Sequence, residues 1–196
     1  MSGAEKSKVR EHVRQRLAET TDADRRAWSA AICKRLIEWA TTSGAAMPMV
    51  YLPTAEEAGV DCYTAWRIKQ GLGVCGPRVD WETWAMAPLV IEDLDAGVEI
   101  RRHGIREPIG TAKEIEPASI DVVLVPGVAF DEHGQRVGRG AGCYDRFLAR
   151  NDLMAGILAI GVCFEAQIVE TAPAEAHDAP LGAIITEERI ILPMKQ

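Results

Sequence analysis

The chain has 196 residues, of which 47% are hydrophobic and 26% charged, enough for one domain, residues 1–196, with a real core. A net charge of −7 argues against a general nucleic-acid binder, which needs a basic footprint, yet leaves room for a local basic pocket around an anionic ligand. No apolar run reaches membrane-spanning length and the charged N-terminus has no signal-peptide core, while five cysteines without C-x-x-C or metal-ligand spacing point to reduced thiols in a cytoplasmic protein.

The pattern predicts a helix over residues 4–19, with Val9, Val13 and Leu17 recurring every fourth position among charges. Lys6 and Arg10 project from one face of it, where they would grip a phosphate or carboxylate; most other charges there read as a solvated face. A second helix is expected from Thr21, where Thr21 and Asp24 resemble a capping box, through the stripe Trp28, Ile32, Leu36 and Trp39 to Gly44. Met47 to Leu52 reads as a buried strand closed by Pro53, followed by a loop holding Glu56 and Glu57. Asp61 would cap a helix running to Gln70, and a strand is expected around Leu72–Cys75. Between Trp81 and Ile91 one or two short strands are expected, with Trp84, Met86 and Leu89 partly buried, then a turn over Asp93–Gly97. His103 to Pro108 reads as an irregular polar loop that nothing local marks as functional.

The most informative stretch runs from Ile120 to Arg150. Ile120 to Val125 is an apolar, β-branched run that predicts a buried strand, stopped by Pro126 and Gly127. Gly138, Gly140 and Gly142 then alternate, with Arg139 between the first two, and Cys143 to Arg150 has the pattern of a helix. Glycine spacing alone fits an ordinary turn. Strand, glycine turn, arginines and helix together describe an anion site, in which backbone N–H groups approach a phosphate. Arg136 and Arg139 would add charge, and Asp145 would hold a metal riding on phosphate oxygens. Further on, Gly156 to Phe164 predicts a buried strand, Glu165 to Glu170 a short helix, and His177-Asp178 a loop pair; Ala183–Thr186 and Arg189–Leu192 predict closing strands. The alternation implies an α/β fold: a three-layer α/β/α sandwich with a largely parallel sheet and the N-terminal helices packed on it.

The runs Asp121–Asp131 and Gly134–Arg146 resemble the 5-formyltetrahydrofolate cyclo-ligase family, also called methenyltetrahydrofolate synthetase. So do Lys6–Arg10, Pro77-Arg78, Gly104–Pro108, Gly161, Gln167, His177-Asp178 and Ile185–Glu187, in family order along almost the whole chain. The resemblance implies an ATP- and Mg²⁺-dependent conversion of 5-formyltetrahydrofolate to 5,10-methenyltetrahydrofolate through a phosphorylated formyl group. It implies that Gly138, Arg139, Gly140, Ala141, Gly142, Cys143 and Tyr144, with Lys6, Arg10 and Arg136, bind ATP. Lys6, Arg10, Arg139 and Tyr144 would act in catalysis, Asp145 and Asp178 would hold Mg²⁺, and Tyr144, Glu57 and His103 would meet the folate. A small-molecule substrate and a monomer are expected, without nucleic acid or membrane partners.

Four positions depart from the family's pattern. Ala141 stands for a Gly or Lys, Cys143 for an aromatic residue, Gly59 for a Glu that Glu57 would replace, and His103 for a Tyr or Trp. The changes fall on residues expected near folate more than on those expected at ATP. A paralogue activating another formyl, amide or carboxyl group, or a non-catalytic nucleotide or folate binder, therefore stays open. Cys143 at a helix start also suggests a thiol of lowered pKa, without a histidine base nearby in the sequence.

Overall fold

The computed structural model describes residues 3–149, 157–175 and 178–194. Arg150, Gly156 and His177, which the sequence reading used, lie outside these described residues. Helix α1 spans Gly3–Ala18 and α2 spans Asp22–Ser43. The capping box at the start of α2 is complete: Asp24 N–H donates to Thr21 Oγ1 at 3.1 Å, and Thr21 N–H donates back to Asp24 Oδ2 at 3.0 Å. Gly44 ends α2 in the left-handed conformation that glycine adopts without strain.

The strands are β1 (Pro48–Met49), β2 (Cys75–Val79), β3 (Met86–Val90), β4 (Val98–Ile100), β5 (Arg106–Pro108), β6 (Val122–Val125), β7 (Ala129–Phe130), β8 (Arg136–Val137), β9 (Leu158–Val162), β10 (Ala183–Ile185) and β11 (Ile190–Ile191). Helix α3 spans Asp61–Lys69 and α4 spans Cys143–Leu148. Seven strands form one sheet in the order β11-β10-β9-β6-β1-β2-β3. Its five inner strands run parallel, and β3 and β11 close the edges antiparallel. Two hairpins, β4–β5 and β7–β8, stand outside the sheet.

The sheet divides the core. Successive side chains of a strand point to opposite faces, so Val122 and Leu124 join the cluster that packs on α1, α2 and α3. Val123 and Val125 join the other cluster, with Phe147 of α4. Val50 and Leu52 against Met49, and Ile160 and Val162 against Ala159, repeat the division. Both faces are apolar because both are covered, as the β-branched runs required.

Three expectations change. The strand expected at Leu72–Cys75 begins only at Cys75, because the residues before it finish α3: Leu72 N–H donates to Arg67 O at 2.9 Å. Buried Arg67 then donates to Gly73 O, Ala45 O and Ala46 O, tying that turn to the loop entering β1. Asp61 does not cap α3; the cap position is Val60, and Asp61 accepts from Arg106 Nη2 at 2.8 and 3.0 Å. The segment His103–Pro108 is not a plain surface loop either: Arg106–Pro108 is β5, paired with β4. Between Trp81 and Ile91 one strand forms, β3, with Met86 and Leu89 buried and Trp84 half-buried.

Candidate active site

The carboxyl ends of β1, β2 and β6 open onto one cavity of about 700 Å³. That is where open parallel sheets hold ligands. Tyr51, Leu52 and Thr54 follow β1, Trp81 follows β2, and Pro126 and Gly127 follow β6; all of them line the cavity. Helix α1 passes over it and contributes Lys6 and Arg10.

The glycine turn forms one part of the wall. Gly140 (φ +114°) and Gly142 (φ +66°) occupy conformations that a side chain would strain, so this backbone path requires glycine at both. Gly142 starts α4 without a side-chain cap. Arg10 Nε donates to Gly138 O at 2.8 Å, which fixes the turn against α1. Arg136, which is 8% exposed, donates from Nη2 to Asp145 Oδ1 at 2.6 Å and from Nη1 to Pro126 O at 3.3 Å. Its guanidinium also stands 6.0 Å from the centre of the Tyr144 ring. Arg139 donates to Thr54 Oγ1 at 2.8 Å and lies 3.4 Å from Glu57 and 3.5 Å from Glu56. Lys6 Nζ donates to Asp178 Oδ2 at 2.7 Å and to Glu175 Oε2 at 3.3 Å.

These surroundings set the protonation states. Burial pulls the Lys6 ammonium down, but hydrogen bonds and charge from Asp178 and Glu175 outweigh it, so its pKa lies above the ordinary lysine value. Burial raises the Tyr144 phenol well above its usual range, so it stays a hydrogen-bond donor at neutral pH. Burial also raises the Cys143 thiol, against the lowering that Arg146 exerts. The expectation of a lowered pKa there is therefore corrected: α4 is six residues long, and desolvation dominates over the charge of its first turn.

A second part of the wall joins His103, expected from the family resemblance to meet the folate, to two tryptophans that sequence reasoning did not assign to the site. Trp81 meets Trp84 and His103, each with ring centres 5.5 Å apart, and the Arg102 guanidinium lies 5.9 Å from the Trp81 ring. Pro77, Val79, Met86, Ile105, Arg106 and Glu107 complete it. For Trp81 and Trp84 themselves the sequence signal was two tryptophans three residues apart beside a proline-containing strand, which reads equally well as core.

All fourteen residues singled out from the sequence border this one cavity: Lys6, Arg10, Glu57, His103, Arg136, Gly138, Arg139, Gly140, Ala141, Gly142, Cys143, Tyr144, Asp145 and Asp178. Among the described residues, no three His, Cys, Asp or Glu side chains converge as a metal cage. A magnesium ion needs less, one or two carboxylates with phosphate and water completing its shell. Asp145 fits that demand: Oδ1 takes the Arg136 and Ala179 N–H groups, and among the described residues no hydrogen bond is made to Oδ2.

A profile of the 5-formyltetrahydrofolate cyclo-ligase family matches residues 2–187. The probable 5-formyltetrahydrofolate cyclo-ligase of Schizosaccharomyces pombe is 27% identical over 175 residues, covering 83% of this chain and 85% of that protein. The probable enzyme of the same name from Caenorhabditis elegans is 27% identical over 195 residues, covering 95% of each. The solution structure of Aquifex aeolicus 5,10-methenyltetrahydrofolate synthetase superposes with a TM-score of 0.81 at 26% identity, covering 97% of this chain and 94% of that one. With the glycine-arginine turn, the α1 cations and the following Asp gathered on one cavity, and a match running through nearly every residue, the chain belongs to the 5-formyltetrahydrofolate cyclo-ligase family.

Proposed function

We propose that this protein converts 5-formyltetrahydrofolate to 5,10-methenyltetrahydrofolate with consumption of ATP. The observation that carries the reading is the make-up of the cavity, where a glycine turn ringed by Lys6, Arg10, Arg136 and Arg139 shares one space with the Trp81–Trp84–His103 wall. A polyanion fits the first and a flat heterocycle the second.

The chemical problem is a poor leaving group, the formyl oxygen. Transfer of the γ-phosphoryl group to that oxygen breaks the phosphoanhydride bond of ATP. Attack by N10 on the formyl carbon then closes the ring, and the oxygen departs with the phosphate. Catalysis of such steps is mainly positioning and stabilisation of charge. The Gly138–Gly142 backbone cradles phosphate. Arg139 and Lys6 neutralise its oxygens after exchanging their present carboxylate partners. Arg10 holds the turn through Gly138 O. Tyr144 donates from a hydroxyl that burial keeps protonated. Asp145, with Asp178, would hold Mg²⁺, which supplies charge neutralisation on the phosphates when bound. Glu57 fills the role left by Gly59 and orients the acceptor. Trp81 and Trp84 supply the aromatic surface that His103 offers less of. The five free thiols suit a reducing, cytoplasmic setting.

The test is the absorbance of the methenyl product after mixing the protein with 5-formyltetrahydrofolate, Mg²⁺ and ATP. A signal that requires both ATP and Mg²⁺ is expected. ATP binding without product would refute this reading.

A further inference from the structure

Among the described residues, three buried side-chain polar atoms have no hydrogen-bond partner in the protein: Arg136 Nε, Glu107 Oε1 and Trp81 Nε1. All three residues line the one cavity. Arg136 belongs to the glycine turn, whereas Glu107 and Trp81 belong to the aromatic wall.

Glu107 is 1% exposed. It lies on β5 between Arg106, which reaches across to Asp61, and Pro108. Its Oε2 accepts from Arg101 Nη1 at 3.1 Å and from the Val79 N–H at 3.3 Å. Arg101 thus balances the charge but serves one oxygen, and Oε1 of this cavity-lining residue is left unserved. A buried carboxylate oxygen without a donor is costly, and a protein that keeps one calls for an external partner. Trp81 presents the opposite need. Its indole N–H is a donor only, and contacts with Trp84, His103 and Arg102 surround its ring. The two orphan atoms do not satisfy each other.

We infer that Glu107 Oε1 and Trp81 Nε1 together read the hydrogen-bonding edge of the substrate's flat heterocycle. Glu107 accepts an N–H from it, and Trp81 donates to a ring nitrogen or carbonyl oxygen. This assignment rests on the folate reading above, since the 2-amino-4-oxo ring of 5-formyltetrahydrofolate carries both kinds of group. Both residues determine specificity for the acceptor, not the nucleotide.

The test compares 5-formyltetrahydrofolate with its 2-desamino-2-methyl analogue on wild type, Glu107→Gln and Trp81→Phe. Wild type is expected to discriminate against the analogue about 10- to 100-fold in kcat/KM, the loss expected when a buried polar group is left unpaired. Glu107→Gln abolishes most of that discrimination and raises the KM for the parent folate, with the KM for ATP unchanged. Trp81→Phe keeps an aromatic face but removes the N–H together with the five-membered half of the indole, and raises the folate KM alone. Equal discrimination by wild type and Glu107→Gln would overturn the Glu107 assignment while leaving the folate reading intact. Should Glu107→Gln fail to fold, Trp81→Phe carries the test, and an unchanged folate KM in it would overturn the shared recognition. No methenyl product from wild type would bring down the folate reading and this assignment together.

Discussion

Asp145 is the residue where stability and chemistry are most entangled, and a pair of substitutions separates them. Arg136 is nearly buried and places one nitrogen 2.6 Å from Asp145, while its Nε has no hydrogen-bond partner among the described residues. Removing one partner of a buried ion pair costs about 3–5 kcal/mol, because the other charge is stranded. The pair borders an open cavity, where water can reach part of the vacated space, so Asp145→Ala is expected near the lower end, about 3 kcal/mol. Asp145→Asn keeps an oxygen for Arg136 and for the Ala179 N–H and loses only the charge, a change of about 1–2 kcal/mol. For a chain of this size each kcal/mol shifts Tm by about 2–4 °C, so Ala should melt about 6–12 °C below wild type and Asn about 2–8 °C below. Thermal unfolding followed by circular dichroism reads the difference, and turnover is then measured at a temperature where both variants are folded. Both should lose methenyl formation, since neither retains the carboxylate. Ala and Asn melting together at the wild-type Tm would refute the structural half of the reasoning. Full turnover by folded Asp145→Asn would refute the functional half.

Three further outcomes are expected. Arg139→Ala removes half-exposed pairs that contribute about 0–1 kcal/mol, so its Tm stays near wild type while kcat/KM for ATP falls about 10²–10³-fold, the scale of losing one charge-stabilising group; parallel losses in both would contradict the assignment. Lys6 is held above its ordinary pKa of 10.5 by Asp178 and Glu175, so the stability it adds is fully present below that value and is lost as pH rises through the higher folded-state pKa. Urea unfolding of wild type and Lys6→Met should therefore show a constant gap from neutral pH to about pH 9 that narrows only in strong alkali; a gap that closes near neutral pH would overturn the pairing. Exposed Cys62 should react with iodoacetamide before half-buried Cys143, whose thiol burial raises, and peptide mass spectrometry would reveal the reverse order.

Legibility in the sequence followed local physics. The capping box at Thr21, the αL glycine at 44 and the β-branched run before Pro126 are each decided by a few adjacent residues, and each is where the pattern put it. The cavity's glycine-turn wall was legible for the same reason, since the turn needs glycine at 140 and 142 whatever the rest of the chain does. What was hidden depends on distant pairing. Glu107 becomes a buried carboxylate only because β5 pairs with β4 and its Oε2 meets Val79, 28 residues earlier. Asp61 looked like a cap because nothing near it in sequence announced Arg106, 45 residues on. Trp81 carries no local sign separating a core ring from a cavity wall.

The four departures from the family's pattern come out differently once geometry is known. Ala141 lies between two glycines of positive φ but is not itself in that region, so its methyl group adds no backbone strain. Gly59 does not border the cavity; a Cβ there would stand 3.2 Å from the Ser29 side chain, and Gly59 N–H donates to Ser29 Oγ at 2.9 Å. The position has been given over to packing against α2, and the cavity carboxylate in that loop is Glu57, held by Thr54 N–H at 2.9 Å. His103, in a positive-φ conformation, does not stand alone but closes a row with Trp81 and Trp84. The rings of Trp81 and Trp84, from the β2–β3 connection, line the same space as His103. Cys143 borders the same cavity, with a thiol where the family's pattern has an aromatic residue. Glu57 and the Trp81–Trp84–His103 row give this cavity a carboxylate and an aromatic face, which is what the proposed reduced-folate acceptor would use.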